Sequence, residues 1–214
     1  MPAIIETTVY RLDELADDAK ERARSWYRQH GFDYDWYDSL FEDFGRICQL
    51  LGIDLRTRQV RLMGGGKRSE PCIYFSGFSS QGDGACFEGY YGYARGMRRA
   101  IRDYAPEDSE LHRIADALEA IQWRNFYQLA ATVRHRGRYA HEYCMEISVD
   151  RDSPAWQAPT AGAEEAVTEA LRDLARWLYR QLEREYDFQT SDEAVDEAIT
   201  ANDYSFTETG RRFG

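Results

Sequence analysis

The sequence predicts an α+β fold: an antiparallel sheet built from hairpins, with amphipathic helices packed on one face, in a single domain over residues 1–214. Three observations point there. Apolar residues recur at gaps of three and four in several long segments. Aromatic and β-branched runs come in pairs joined by glycine-bearing turns. Strands and helices do not alternate regularly, which argues against a doubly wound parallel sheet.

The first element is a strand at residues 3–10, Ala-Ile-Ile-Glu-Thr-Thr-Val-Tyr, rich in β-branched side chains and too short for a stable helix. Asp13 or Asp17 then offers an N-cap to a helix that runs to about His30 and stops at Gly31. Between Asp33 and Leu51, the residues Trp36, Tyr37, Leu40, Phe41, Phe44, Ile47, Cys48 and Leu51 share one helical face, and Gly52 closes the helix. Residues 53–62 alternate loosely. Gly64, Gly65 and Gly66 interrupt them, and Lys67, Arg68 and Pro71 read as the continuation of a mobile tip.

Two aromatic-rich strands, 72–78 and 85–93, form a hairpin around Ser79-Ser80-Gln81-Gly82-Asp83-Gly84, whose glycines suit positive φ. Helices follow at 96–104 and 107–124, then a second hairpin of 126–134 and 139–149 turned at Arg136-Gly137-Arg138. A Pro-flanked linker at 154–159 leads into the longest helix, 164–186. Ser191 caps a short last helix, and residues 204–206 read as an edge strand.

The chain carries 38 acidic and 27 basic residues, a net charge of −11, which repels nucleic-acid phosphate and anionic lipid at long range and predicts no direct nucleic-acid binding. The same charge suits a partner whose own surface is basic, including one built to hold nucleic acid such as a ribonucleoprotein complex. Ordinary solubility is the simpler account of an acidic surface and stands ahead of charge mimicry of nucleic acid. No run approaches the roughly 18 to 20 apolar residues of a membrane span, and the first residues lack the pattern of an export signal, so the expected location is the cytoplasm. Cys48, Cys72, Cys86 and Cys144 are scattered without a Cys-x-x-Cys pair and read as free thiols.

The stretch from Tyr74 to Gly89 combines hydroxyls, an amide, an acid and four glycines between aromatic strands, which makes Ser79, Ser80, Gln81 and Asp83 the first candidate binding residues. The plain alternative is a structural turn, since its spacing matches neither phosphate-binding glycine motif. Asp35, Asp38 and Glu42, on the polar face of the 33–51 helix, are the second set. With the acids at 13–21 and 183–197 they would form a negative strip if those helices align, although solvated helix faces account for them as well. His135, His141 and Cys144 supply too few ligands for zinc, so neither a metal nor a cofactor is expected. Ser79, Ser80 or Cys86 with His112 or His135 could be drawn as a catalytic set, but no Gly-x-Ser-x-Gly elbow supports it.

At Leu12 to Ala23, Tyr74 to Gly89, Tyr104 to His112 and Tyr179 to Tyr186, the sequence resembles a family of phage and prophage proteins, some labelled antitoxin-like. The glycine-rich segment from Gly64 to Pro71 departs from the shorter connection of that pattern. The resemblance implies a non-enzymatic protein that binds and inhibits a bacterial defence or host complex, as anti-CRISPR proteins do. An antitoxin that occupies a toxin is one alternative, and a small enzyme or nucleotide-binding protein using the Ser79–Gly84 loop is another. A homodimer is compatible with each.

Overall fold

The computed structural model describes residues 7–32 and 35–214. It divides into two units: residues 1–37 with 183–214, and residues 38–182.

In the first unit a 3₁₀ turn, Leu12–Glu14, leads into helix α1, Asp17–Trp26, and a wider helical turn, Tyr27–Gly31. The cap position of α1 falls on Ala16, which has no side chain to cap with, so Asp17 and Asp18 act inside the first turn on the helix dipole. A second helix of this unit, Asp192–Ala201, begins as expected from Ser191, whose Oγ accepts the Ala194 N–H at 3.3 Å. Leu12, Leu15, Ala19, Ala23, Val195, Ile199 and Phe206 make the core, with Trp26 and Tyr204 packed against it. The expected strand at 3–10 lies partly outside the described residues. Of its described part only Tyr10 pairs, exchanging backbone hydrogen bonds with Phe206 at 2.8 and 2.9 Å, and the edge strand at 204–206 reduces to Phe206 alone.

The second unit opens with α2, Asp38–Leu51, which begins later than the periodicity suggested. Gly52 ends it at φ +83°, where an added Cβ would stand 2.1 Å from the Gly92 carbonyl oxygen, so only glycine fits. Strands β1, Ile53–Leu55, β2, Thr57–Arg61, β3, Lys67–Pro71, β4, Ile73–Phe75, β5, Ala85–Phe87, and β6, Gly89–Gly92, precede helices α3, Met97–Tyr104, and α4, Ser109–Arg124. Strands β7, Leu129–His135, and β8, Met145–Arg151, complete the sheet, and α5, Ala163–Gln189, follows, of which the residues up to Leu182 belong to this unit. All pairings are antiparallel: a four-stranded sheet β1-β6-β7-β8, and two-stranded ribbons β2-β3 and β4-β5.

The register explains the layering. Ile53, Tyr91, Ala131 and Val149 lie side by side on the face turned to the helices, and Asp54, Tyr90, Thr132 and Ser148 form the next row on the outer face. Ile53, Tyr91 and Ala131 are buried, whereas Tyr90 is exposed. Phe44 of α2 packs against Phe87 of β5 at 5.5 Å between ring centroids and against Trp177 of α5 at 6.5 Å, which joins three elements in one core. Fully buried Leu and Ile residues such as Leu111, Ile114 and Leu174 each contribute about 2 kcal/mol. Asp108 caps α4, accepting from Glu110 N and Leu111 N, and its second oxygen accepts from Trp177 Nε1 at 2.8 Å.

Several expected elements are corrected. The segment 67–71 is not a mobile tip but strand β3, because each of its residues pairs with β2. The expected strand 85–93 breaks at Glu88, where the chain changes partners: Glu88 N donates to Cys72 O, Arg56 N to Glu88 O and Cys72 N to Arg56 O. The strand expected at 126–134 starts only at Leu129, since Phe126 and Tyr127 have positive φ. Its partner starts at Met145, because a 3₁₀ turn at Glu142–Cys144 lengthens the connection. All four cysteines are free, and Cys48, Cys72 and Cys86 are buried. Among the described residues, no helix is long and apolar enough to cross a membrane.

Candidate functional site

The residues that end α4 have conflicting tasks. Leu111, Ile114, Ala115, Leu118, Ile121 and Gln122 face inward, so the next residue, Trp123, falls off the apolar stripe. Gln122 is fully buried and stitches the helix to the sheet: Nε2 donates to Leu129 O at 2.8 Å and to Tyr91 Oη at 3.2 Å, and Oε1 accepts from Leu129 N at 3.0 Å. Asn125, also fully buried, donates to Ile121 O and Thr160 Oγ1 and accepts from Thr160 N, each at 2.9 Å. Every polar atom of the two amides is thereby engaged in holding the turn.

Between these anchors Phe126 and Tyr127 take φ values of 57° and 60°, two consecutive left-handed residues without glycine. Each such residue costs about 1 kcal/mol. What the strain achieves is display: Trp123, Phe126 and Tyr127 are 67%, 72% and 42% exposed. Tyr93 packs on Tyr127 with ring centroids 4.4 Å apart and planes tilted by 36°, and the Arg151 guanidinium sits 5.4 Å over the Phe126 ring, so each ring is braced by one neighbour and otherwise exposed.

Two shallow depressions meet here. One, of about 480 Å³, is lined by Trp123, Arg124, Phe126 and Tyr127. The other, of about 550 Å³, adds Arg98, Asp116, Glu119 and Ala120. Its polar rim is pre-paired: Arg98 Nε lies 2.6 Å from Asp116 Oδ1 and 3.2 Å from Glu119, and Arg102 Nη2 lies 2.8 Å from Asp116 Oδ2. Hydrogen bonding from Arg102, helped by Arg98, holds the Asp116 carboxyl below its ordinary pKa. Exposed aromatics and an arginine surrounded by satisfied polar groups make the composition of a protein-binding hot spot.

The residues proposed from sequence lie elsewhere. Asp83 turns back into its own loop and accepts from Ser79 N at 3.0 Å and Ser80 N at 2.6 Å. Gly82 supplies the positive φ, +95°, that the turn expects. Ser76 Oγ accepts from Gly84 N, and Tyr179 Oη donates to Gly77 O at 3.0 Å, tying the loop to α5. Only the side chains of Ser79, Ser80 and Gln81 remain exposed. Asp35 and Glu42 are exposed and Asp38 is half-buried at the start of α2. Several acids of the expected negative strip are neutralised: Arg24 grips Asp196 through two bonds of 2.7 and 2.6 Å and Asp192 at 2.8 Å, and Arg28 also pairs with Asp192.

His112 Nε2 is within 2.8 Å of Ala105 O and His135 Nε2 within 2.9 Å of Tyr139 O, so both rings are engaged by backbone. Among the described residues no group of three His, Cys, Asp or Glu is placed to hold a metal ion. The aromatic display was partly legible in advance, because helical periodicity puts Trp123 off the inward stripe. No sequence signal marks Phe126 and Tyr127 as left-handed.

A family model described as "Domain of unknown function (DUF8835)" matches residues 36–192 of the 214, well over half of the chain. The chain belongs to this family. No curated protein and no solved structure matches it. The DUF8835 segment contains the whole Trp123–Tyr127 turn and the helices and strands that brace it.

Proposed function

We propose that this protein works by stoichiometric binding, with a partner protein seated on the platform of Trp123, Arg124, Phe126 and Tyr127. The observation that carries the reading is the pair of left-handed aromatic residues, fixed by two buried amides, that keeps large apolar rings in water. The contacts of Tyr127 with Tyr93 and of Phe126 with Arg151 use only part of these rings, and a docking partner recovers the desolvation energy of the rest. In the setting that the resemblance to phage proteins suggests, the partner is a bacterial defence or host complex and the outcome is its inhibition by occupancy. The net charge of −11 favours a partner whose approaching surface is basic.

The test is affinity capture from a bacterial host using the native chain and the variant Trp123→Ala with Phe126→Ala. The variant should keep its melting temperature, since both side chains are largely exposed, and should lose the protein that co-purifies with the native chain. Equal recovery of that protein by the variant overturns the reading. Recovery of a toxin encoded beside this chain would make the occupancy that of an antitoxin.

A further inference from the structure

The chain as a whole is acidic by 11 charges, yet residues 56–71 hold Arg56, Arg58, Arg61, Lys67 and Arg68 against a single carboxylate, Glu70. Strands β2 and β3 sort these side chains onto two faces. On one, Arg58 opposes Glu70 and Val60 opposes Arg68, and Glu70 is 3.6 Å from Arg58 and 3.0 Å from Arg68, so the charges compensate. On the other, Thr57 opposes Pro71, Gln59 opposes Ser69 and Arg61 opposes Lys67, with no carboxylate. Arg61 and Lys67 form no ion pair among the described residues. Like charges set directly across a ribbon destabilise it, so the fold alone supplies no reason for this pair. At the tip, Leu62 and Met63 are exposed.

A second basic element adjoins the ribbon. The end of β7 and the turn after it carry Arg134, His135, Arg136 and Arg138, with Glu146 of β8 directly across from Arg134. Tyr74 links this segment to the opposite, charge-compensated face of the ribbon, since its ring lies 5.0 Å from His135 and 5.7 Å from the Arg58 guanidinium. An open groove of about 600 Å³ on the outer sheet face is bordered by Arg56 and Arg134, with Asp54, Tyr90 and Thr132 on its floor, so it carries a carboxylate of its own and is not part of the cationic face. Glu88 in its wall is already held by Arg56 at 2.7 Å. Of the turn's arginines, Arg136 pairs with Glu146 at 2.5 Å.

We propose that the Arg61–Lys67 face of the β2–β3 ribbon grips the phosphate backbone of duplex nucleic acid, with Arg61 and Lys67 as principal contacts. A two-stranded ribbon fits a major groove, which is about 12 Å wide, and Gln59 and Ser69 on the cationic face add hydrogen-bonding groups. The overall negative charge does not prevent this, because charge acts locally within a Debye length of about 8 to 10 Å. It limits the affinity and makes it steeply salt-dependent. The inference is independent of the aromatic platform.

The test uses the full chain and a labelled mixed-sequence DNA duplex, with binding followed by anisotropy between about 50 and 200 mM salt. The native chain should bind at the lower end with a linear dependence of log K on log salt. Arg61→Ala with Lys67→Ala should weaken binding roughly tenfold or more and reduce that slope by about 2, while Trp123→Ala with Phe126→Ala should leave both unchanged. Failure of the native chain to bind at the lower salt, or a double variant with the native slope, overturns the proposal. So does tighter binding of labelled poly-glutamate than of the duplex at the same salt, which would identify the ribbon as a site for acidic polypeptides.

Discussion

The Ser79–Gly84 loop and the Trp123–Tyr127 turn are both sharp connections with backbone in the left-handed region, and they use their side chains in opposite directions. In the loop the polar group turns inward: Asp83 satisfies the N–H groups of Ser79 and Ser80 through one carboxylate oxygen, Oδ2. In the α4 turn the inward work is done by Gln122 and Asn125, and the side chains at the strained positions point out. An unusual run of glycines and hydroxyls can therefore describe what a turn needs for itself. Large rings held in water by a strained backbone describe something the turn offers to others.

The contrast can be broken most directly at Gln122. Gln122→Ala removes three hydrogen bonds from a dry site and strands both backbone groups of Leu129, so stability should fall by about 3 kcal/mol in a denaturant titration. A loss below about 1 kcal/mol would mean that the amide does not brace the turn. Asp83→Ala should cost about 1 kcal/mol, because the N–H groups it releases can reach water, and should leave partner capture unchanged. If partner capture is lost with the fold intact, the loop is a binding site after all.

Phe126→Gly is the finer test: relief of left-handed strain and loss of backbone restriction nearly cancel, so stability should move by less than about 1 kcal/mol. A larger loss would show that the ring is needed for packing. The platform's rim adds a dependence on acidity. Because the folded pKa of Asp116 lies below its unfolded value, its contribution is complete above about pH 4 and is lost as the pH falls through the lower, folded value. Asp173 behaves likewise: burial opposes its ionisation, but the hydrogen bonds from Arg113 and Arg176 outweigh it. Asp116→Asn should therefore flatten the acid limb of a stability profile below about pH 4 and leave the neutral region, where it only lowers the plateau, flat.

The helices were legible because burial imposes a period on them. The inward residues of α4 and α5, such as Leu118, Leu171 and Leu178, recur at helical spacing, and Ser191 and Gly52 mark boundaries by capping chemistry, whereas the Asp108 cap of α4 emerged only in the structure. The strands were harder, because pairing is decided by residues far away in the chain. Nothing local in Ala85 to Tyr93 says that Glu88 will accept Arg56 N–H and hand the chain from one ribbon to another sheet. Lys67 to Pro71 has no apolar alternation, and only its register with Thr57 to Arg61 makes it a strand. The candidate site was hidden for a related reason: left-handed Phe126 and Tyr127 are imposed by Asn125 reaching Thr160, 35 residues later.

The free cysteines give the fold a built-in clock. Burial pushes the Cys86 thiol up to about 12 and Cys48 well above its ordinary range, and Cys72 is also enclosed, while Cys144 is only half-buried. Since alkylation proceeds through the thiolate, the native molecule presents one slow-reacting sulfur and three that wait for an opening event. The order in which they take up a label would time the breathing of α2, of β5 and of the crossing at Cys72 separately, without any engineered probe.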